Sequence, residues 1–178
     1  MGDGARSADD AAGGLRRRVP TWPGYAACAW ALVFAAQRCY HAAGGTAGAE
    51  TIGPAIAEPV VAREPLWVAA LCALGGLKVV AALVALATVR AWGRRGTRGL
   101  LLAAGWAAVA VMASYEGAAS PVQHALMVAG VIATPAGLGP TAARWRLLLW
   151  DPWRLRGGIL FGLATWRYQR RTGALRAQ

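Results

Sequence analysis

An all-α integral membrane protein is the fold class the sequence predicts: a four-helix bundle with short interfacial helices between the third and fourth spans. Three observations predict it. The 178 residues are 57% hydrophobic and only 15% charged, with a mean hydropathy of +0.38, too apolar for an ordinary soluble domain and too short for several domains. The charges gather between long apolar runs, as they do where about 20 apolar residues cross the hydrocarbon of a bilayer. The net charge of +11 comes from arginines at the ends of those runs and from one lysine, Lys78. Charge so placed reads as topology-setting, and no basic stretch interleaved with aromatics suggests nucleic acid.

Residues 1–20 are rich in Gly, Ala and Asp and end in Arg16, Arg17 and Arg18, the pattern of a disordered basic tail. A cleaved signal peptide is disfavoured, because the next apolar run continues into Gln37, Arg38 and His41 without a small-x-small cleavage site. The membrane domain is expected over 21–171. Its first span covers about 22–41, with Thr21 to cap it, Pro23 suited to the first turn and Gly44-Gly45 to end it. Residues 46–64 read as a polar loop, where Pro54, Pro59 and Pro65 forbid a long helix. The second span, 66–89, would be about 36 Å long at 1.5 Å per residue.

The third span is expected over 99–118. Residues 122–138 are apolar, but Thr134-Pro135 cuts them to about 12 helical residues, too few for a normal crossing. An interfacial helix, a re-entrant piece and an extension of the third span all fit. Ala142–Trp150 reads as a short interfacial helix. In the last span, 152–168, Asp151 serves as N-cap and Pro152 as the first residue. Trp166 and Tyr168 anchor its far interface before Arg167, Arg170 and Arg171, while Arg154 and Arg156 must snorkel. Residues 172–178 form a second tail.

Positive charge marks the cytoplasmic side. Arg16–Arg18, the arginines at 90–98 and those from 167 onward fall on one side. The loop 46–64, with Glu50, Glu58, Glu64 and Arg63, falls on the other. The alternation predicts four spans in a bacterial cytoplasmic membrane, with both termini cytoplasmic.

Several short motifs agree in order and spacing with one family. They are Trp22-Pro23-Gly24-Tyr25, Trp30, Tyr40-His41-Ala42-Ala43-Gly44-Gly45, Gln123-His124-Ala125-Leu126-Met127, Thr134-Pro135-Ala136-Gly137-Leu138-Gly139, and Trp150-Asp151-Pro152-Trp153 followed by Gly157-Gly158. Over about residues 20–171 the chain resembles the domain-of-unknown-function 3995 family. The resemblance implies a small, mostly actinobacterial membrane protein with about four spans, and it brings no activity, cofactor or catalytic residue. Arg154 and Arg156 stand where that family has apolar residues.

Polar groups inside a bilayer are costly, so each is a functional candidate. Lys78 sits at the middle of the second span. Gly75, Lys78, Ala82 and Ala85 share a small-residue stripe that lets a neighbouring helix approach and turns the lysine inward. Arg38, His41, Glu116, His124 and Asp151 gather at the outer ends of the spans. There Arg38 could pair with Glu116 or Asp151 and both histidines could join them; the plainer reading is an interfacial salt-bridge and capping network. A metal site at His41, His124 and Glu116 has no recognisable ligand spacing, and no cofactor is expected. Cys28, Cys39 and Cys72 read as buried free thiols. Phosphate-loop, metalloprotease and nucleophile-elbow motifs are missing from the sequence.

These features favour a non-enzymatic accessory or structural component of the membrane. The alternative is a small transporter or membrane enzyme using Lys78 or the outer cluster. The expected partners are the lipid bilayer and either a second copy of the chain or another membrane protein, with no nucleic acid.

Overall fold

Apolar runs punctuated by glycine and proline become helices throughout. A computed structural model describes residues 20–90, 97–116 and 119–174, the side chains of 114–119 and 174 excepted. The expected tail with Arg16–Arg18, the loop arginines Arg94 and Arg95, positions 117–118 of the third span and residues 175–178 lie outside these. The helices are α1 (Trp22–Ala42), α2 (Pro54–Val61), α3 (Pro65–Val89), α4 (Arg98–Glu116), α5 (Ala119–Val128), α6 (Pro140–Trp145) and α7 (Asp151–Ala174). A 3-10 turn covers Ala49–Thr51 and a π turn covers Arg146–Trp150. Among the described residues no strand occurs.

Proline opens α1, α2, α3 and α6, where its missing N–H costs nothing. Thr21, expected to cap α1, makes no side-chain cap bond; its carbonyl accepts from Gly24 N–H at 3.2 Å instead. Gly44-Gly45 ends α1 as its sequence suggests. Gly44 takes φ +100°, and the N–H groups of Gly44 and Gly45 donate to the His41 and Tyr40 carbonyls at 3.0 and 2.9 Å. That double bond pattern satisfies the last carbonyls of a helix.

The two segments that join the long helices differ from expectation. The segment 46–64 is not a plain loop. It contains the 3-10 turn and the eight residues of α2, which Pro54 starts, which Ala62 caps and after which Arg63, a non-glycine residue, takes φ +55°. Within 122–138 the helix is set earlier than expected and ends before Thr134-Pro135. Gly130, at φ +74°, stops α5 through bonds from Gly130 and Val131 N–H to the Met127 and Leu126 carbonyls. Conformational freedom at Gly130 therefore decides this boundary.

The most extensive packing joins α1 to α3, followed by α4 to α7 and α1 to α7. Small residues make the first contact close. Ala82 and Ala85 are buried, Gly75 backs onto Ala35 and Arg38, and Gly24 meets Thr88 and Val89. These pairings run α1 and α3 in opposite directions, as the facing of Gly105 with Thr165 and of Met112 with Gly158 does for α4 and α7. The core consists of Ala27, Trp30, Ala31, Phe34, Ala82, Ala85 and Phe161. Trp30 organises it, stacking on Trp153 at 6.3 Å, meeting Phe161 edge-on at 6.2 Å and donating Nε1–H to the Trp153 carbonyl at 2.9 Å.

One end is held by arginines. Arg171 donates to the Thr88 carbonyl at 2.6 Å, Arg167 to the Pro20 carbonyl at 3.2 Å, and Arg98 to Thr172 Oγ1 at 2.6 Å. At the opposite end, the segments after α1 and after α5 cross. Trp150 Nε1–H donates to Thr51 Oγ1 and Arg146 to the Ile52 carbonyl, each at 3.2 Å, and Ala55 N–H donates to the Gly137 carbonyl at 3.1 Å.

The start of the last helix is the largest correction. Asp151 is not an N-cap: its φ of −66° and ψ of −48° are helical, and its N–H donates back to the Arg146 carbonyl through the π turn. Ala142–Trp150 is accordingly no separate interfacial helix, since α6, the π turn and α7 follow one another without a break. Pro152 explains the π turn, because proline inside a helix removes one bond and crowds the carbonyl four residues back. A wider turn just before it takes up that misfit.

By length and composition α3 alone among the described helices suffices to cross a membrane, with mean hydropathy 2.3 over its most apolar stretch; α4 offers a shorter apolar run, Arg98–Ala113. Only 22% of that α3 stretch is buried. Leu74, Leu77, Val80 and Leu83 are exposed on it. Contrary to expectation, Cys39 and Cys72 are also exposed, and Cys28 is half-buried.

Candidate functional site

Two of the expected outer residues meet. The π turn places Asp151 on the inner side of the long helical stretch, and α5 lays His124 against it. Both are buried, with Asp151 3% and His124 6% exposed. Nδ1–H of His124 donates to Asp151 Oδ2 at 2.7 Å. Ser120, one helical turn before His124, donates its hydroxyl to Asp151 Oδ1 at 3.4 Å and lies 3.5 Å from His124 Nδ1. Arg154, one turn after Asp151, brings Nη1 to 3.8 Å from Oδ1. A buried carboxylate is thus surrounded by an imidazole, a hydroxyl and a guanidinium, the company a buried charge requires.

The trio of Ser120, His124 and Asp151 is not a nucleophilic triad. In a triad the acid and the serine occupy opposite ring nitrogens of the histidine. Here both approach Nδ1, so Ser120 has no base to take its proton. What the arrangement does chemically is fix the imidazole, with its proton on the Asp151 side.

Arg38 and His41 do not join the pair. Asp151 does not pair with Arg38. The Arg38 guanidinium lies 5.9 Å from the Phe34 ring. His41 does not join His124; it is buried, and its Nδ1–H donates to the Gly45 carbonyl at 2.9 Å, bracing the turn that ends its own helix. The Glu116 side chain lies outside the described residues. No group of three His, Cys, Asp or Glu side chains suited to a metal occurs among those described.

Lys78 is half-buried on α3. Its Nζ lies 5.3 Å from the Trp30 ring and 5.2 Å from the Phe34 ring. Two aromatic faces at these distances attract an ammonium by about 0.5–2 kcal/mol depending on its desolvation. The inward turn read from Gly75, Ala82 and Ala85 comes from the same packing.

Ser120 and Arg154 are site residues that sequence reasoning did not name. Ser120 and His124 stand four apart and Asp151 and Arg154 three apart, so each pair shares a helix face. That spacing was visible; the contact between the two pairs was not. A small cleft lined by Thr21, Gly24, Thr88, Arg167 and Arg171 lies at the arginine end, away from these side chains.

Among the described residues, the fold and the site define an all-helical protein with one helix long and apolar enough to cross a membrane and a buried acid–imidazole pair at the end opposite Arg98, Arg167 and Arg171. The family described as protein of unknown function DUF3995 matches residues 31–161, and the chain belongs to that family. No curated protein and no solved structure matches it.

Proposed function

We propose that the chain is a four-span integral protein of the bacterial cytoplasmic membrane, with its arginine end in the cytoplasm, serving as a non-enzymatic accessory or structural component. The observation that carries this reading is α3, whose 25 residues are strongly apolar and mostly uncovered. In lipid that exposure costs nothing, whereas in water it would drive aggregation. The exposed Leu32 and Val33 of α1, Leu100 and Val111 of α4, and Ile159 of α7 extend the same apolar exterior. Arg170 over the Trp166 ring at 4.3 Å and Arg167 over Trp22 at 5.7 Å suit the headgroup level on the cytoplasmic side.

Alkaline carbonate washing and cysteine labelling test it. The protein should stay with the membrane pellet. In a background lacking Cys28, Cys39 and Cys72, Ala47→Cys should react with an impermeant maleimide on intact cells, and Gly173→Cys only after permeabilisation. Release by carbonate, or the reverse labelling order, would overturn the reading.

One observation favours a second reading, a small transporter or membrane enzyme: polar side chains, Lys78 and the His124–Asp151 pair, are held inside an otherwise apolar fold. Lys78→Met separates the two. A cellular phenotype unchanged in a normally folded variant removes the lysine from function, while loss of phenotype at normal abundance favours transport or catalysis.

A further inference from the structure

We infer that Arg167 and Arg171 form a binding site for the phosphate of an anionic phospholipid of the cytoplasmic leaflet. The leaflet is that of the four-span reading, on which this inference rests. Both arginines are half-buried and line one cleft with Thr21, Thr88 and Ala164. Each is held by a backbone carbonyl, Arg167 by Pro20 at 3.2 Å and Arg171 by Thr88 at 2.6 Å. Carbonyls orient a guanidinium without neutralising it. The described acid side chains, Glu50, Glu58, Glu64 and Asp151, all lie toward the other end, Glu64 at the start of α3 and Thr88 near its finish. Within the described chain no carboxylate answers the pair, and partly buried charge is stable only with a counter-charge. Nε of Arg171 is also buried without a hydrogen-bond partner, a costly state for a donor on a charged group. Thr21, on the same wall, makes no side-chain cap bond.

The chemistry of the cleft selects the ligand. Guanidinium groups take phosphate through charge-assisted N–H···O bonds. The inner cleft has room for about one water-sized group, so it admits a single phosphate oxygen while the rest of the headgroup stays at the mouth. A choline or ethanolamine headgroup gains little here, since its ammonium meets arginines and no acid. A glycerol headgroup brings the negative charge alone. Arg167 over the Trp22 ring and Arg170 over the Trp166 ring put the mouth at the depth where phosphates lie. Basic pockets between helices on the cytoplasmic side are where anionic headgroups settle.

Native mass spectrometry of the delipidated full chain in neutral detergent micelles tests it, with phosphatidylglycerol and phosphatidylcholine supplied in equal amounts. The wild type should retain phosphatidylglycerol in preference, and an excess of inorganic phosphate should not displace it. Arg167→Gln with Arg171→Gln should lower that retention about tenfold or more, the scale of a lost charged hydrogen bond. Arg144→Gln with Arg156→Gln removes the same charge from exposed positions elsewhere and should leave retention unchanged. Equal loss in the two double variants, or equal retention of the two lipids, would overturn the inference. Displacement by inorganic phosphate would overturn the lipid as ligand and assign the cleft to the free anion. Should the 167/171 variant fail to fold by circular dichroism, Arg167→Gln is compared with Arg144→Gln instead. Carbonate washing and cysteine labelling decide the four-span reading separately. A protein that keeps to the pellet with the expected labelling but shows no lipid preference refutes this inference alone.

Discussion

Trp30 is where residue chemistry and packing meet most tightly. Its indole fills the space beside Gly157, where an added Cβ would run into the six-membered ring. Overfilling a packed site costs about 1–3 kcal/mol, against about 1 kcal/mol of helix propensity gained on replacing glycine by alanine. Gly157→Ala should therefore lower the thermal midpoint in detergent. In a Trp30→Phe background the smaller ring leaves room, and the same substitution should cost less or stabilise. Additive effects of the two changes would show that the indole is not what holds Gly157 in place. The sequence shows Gly157 only as half of a glycine pair among the family's motifs, and nothing in it says which side chain that glycine admits. At His124 the sequence showed a polar residue at the right end of the fold and nothing more, since its partner Asp151 stands 27 positions away.

Among the elements, the π turn departs furthest from expectation. Asp151-Pro152 has the composition of a helix start, and locally that is the correct reading. The chain keeps its helix because α5 packs against α6 and the π turn, and because Trp150 and Arg146 bond to Thr51 and Ile52. These contacts form only once segments distant in sequence come together. Removing one residue from the turn would restore ordinary helix and rotate everything after it by about 100°. Leu148 is 73% exposed, so Leu148→Ala should be nearly silent. Deleting Leu148 should instead swing Asp151 away from His124 and lower the thermal midpoint sharply, since a buried charge stripped of its partner costs about 3–5 kcal/mol. Equal effects of the two changes would argue that register at the turn is unimportant. The ends of α1 and α5, by contrast, follow from glycines that any helix would use as stops.

Across the whole molecule, one end is held by arginines alone, while the other mixes acids with Arg63, Arg146 and Arg154. Arg98, Arg167, Arg170 and Arg171 share the end near Thr88, while Glu50, Glu58 and Glu64 belong to the segment joining α1 to α3. On the four-span reading this asymmetry sets orientation. Replacing Glu50 and Glu58 by lysine together with Arg167→Gln and Arg170→Gln should yield a mixed population, in which Ala47→Cys labels only partly on intact cells. Full labelling would mean that other charges determine the orientation. The arginines inside the last helix fit a simpler account than snorkelling, at least for Arg154, which turns toward Asp151 at 3.8 Å while Arg156 is exposed.

Helical class, the approximate run of each long helix, the small-residue contact face of α3 and the family all followed from sequence alone. They depend on local properties: apolar periodicity, proline at helix starts, glycine at helix ends and short motifs in order. Tertiary structure alone decided that Asp151 lies within a helix and that His124, Ser120 and Arg154 are its companions. It also decided that Lys78 rests against Trp30 and Phe34. Each of these depends on bringing separate helices to within a few ångströms, where one turn of register selects the partner, and no local pattern encodes that choice.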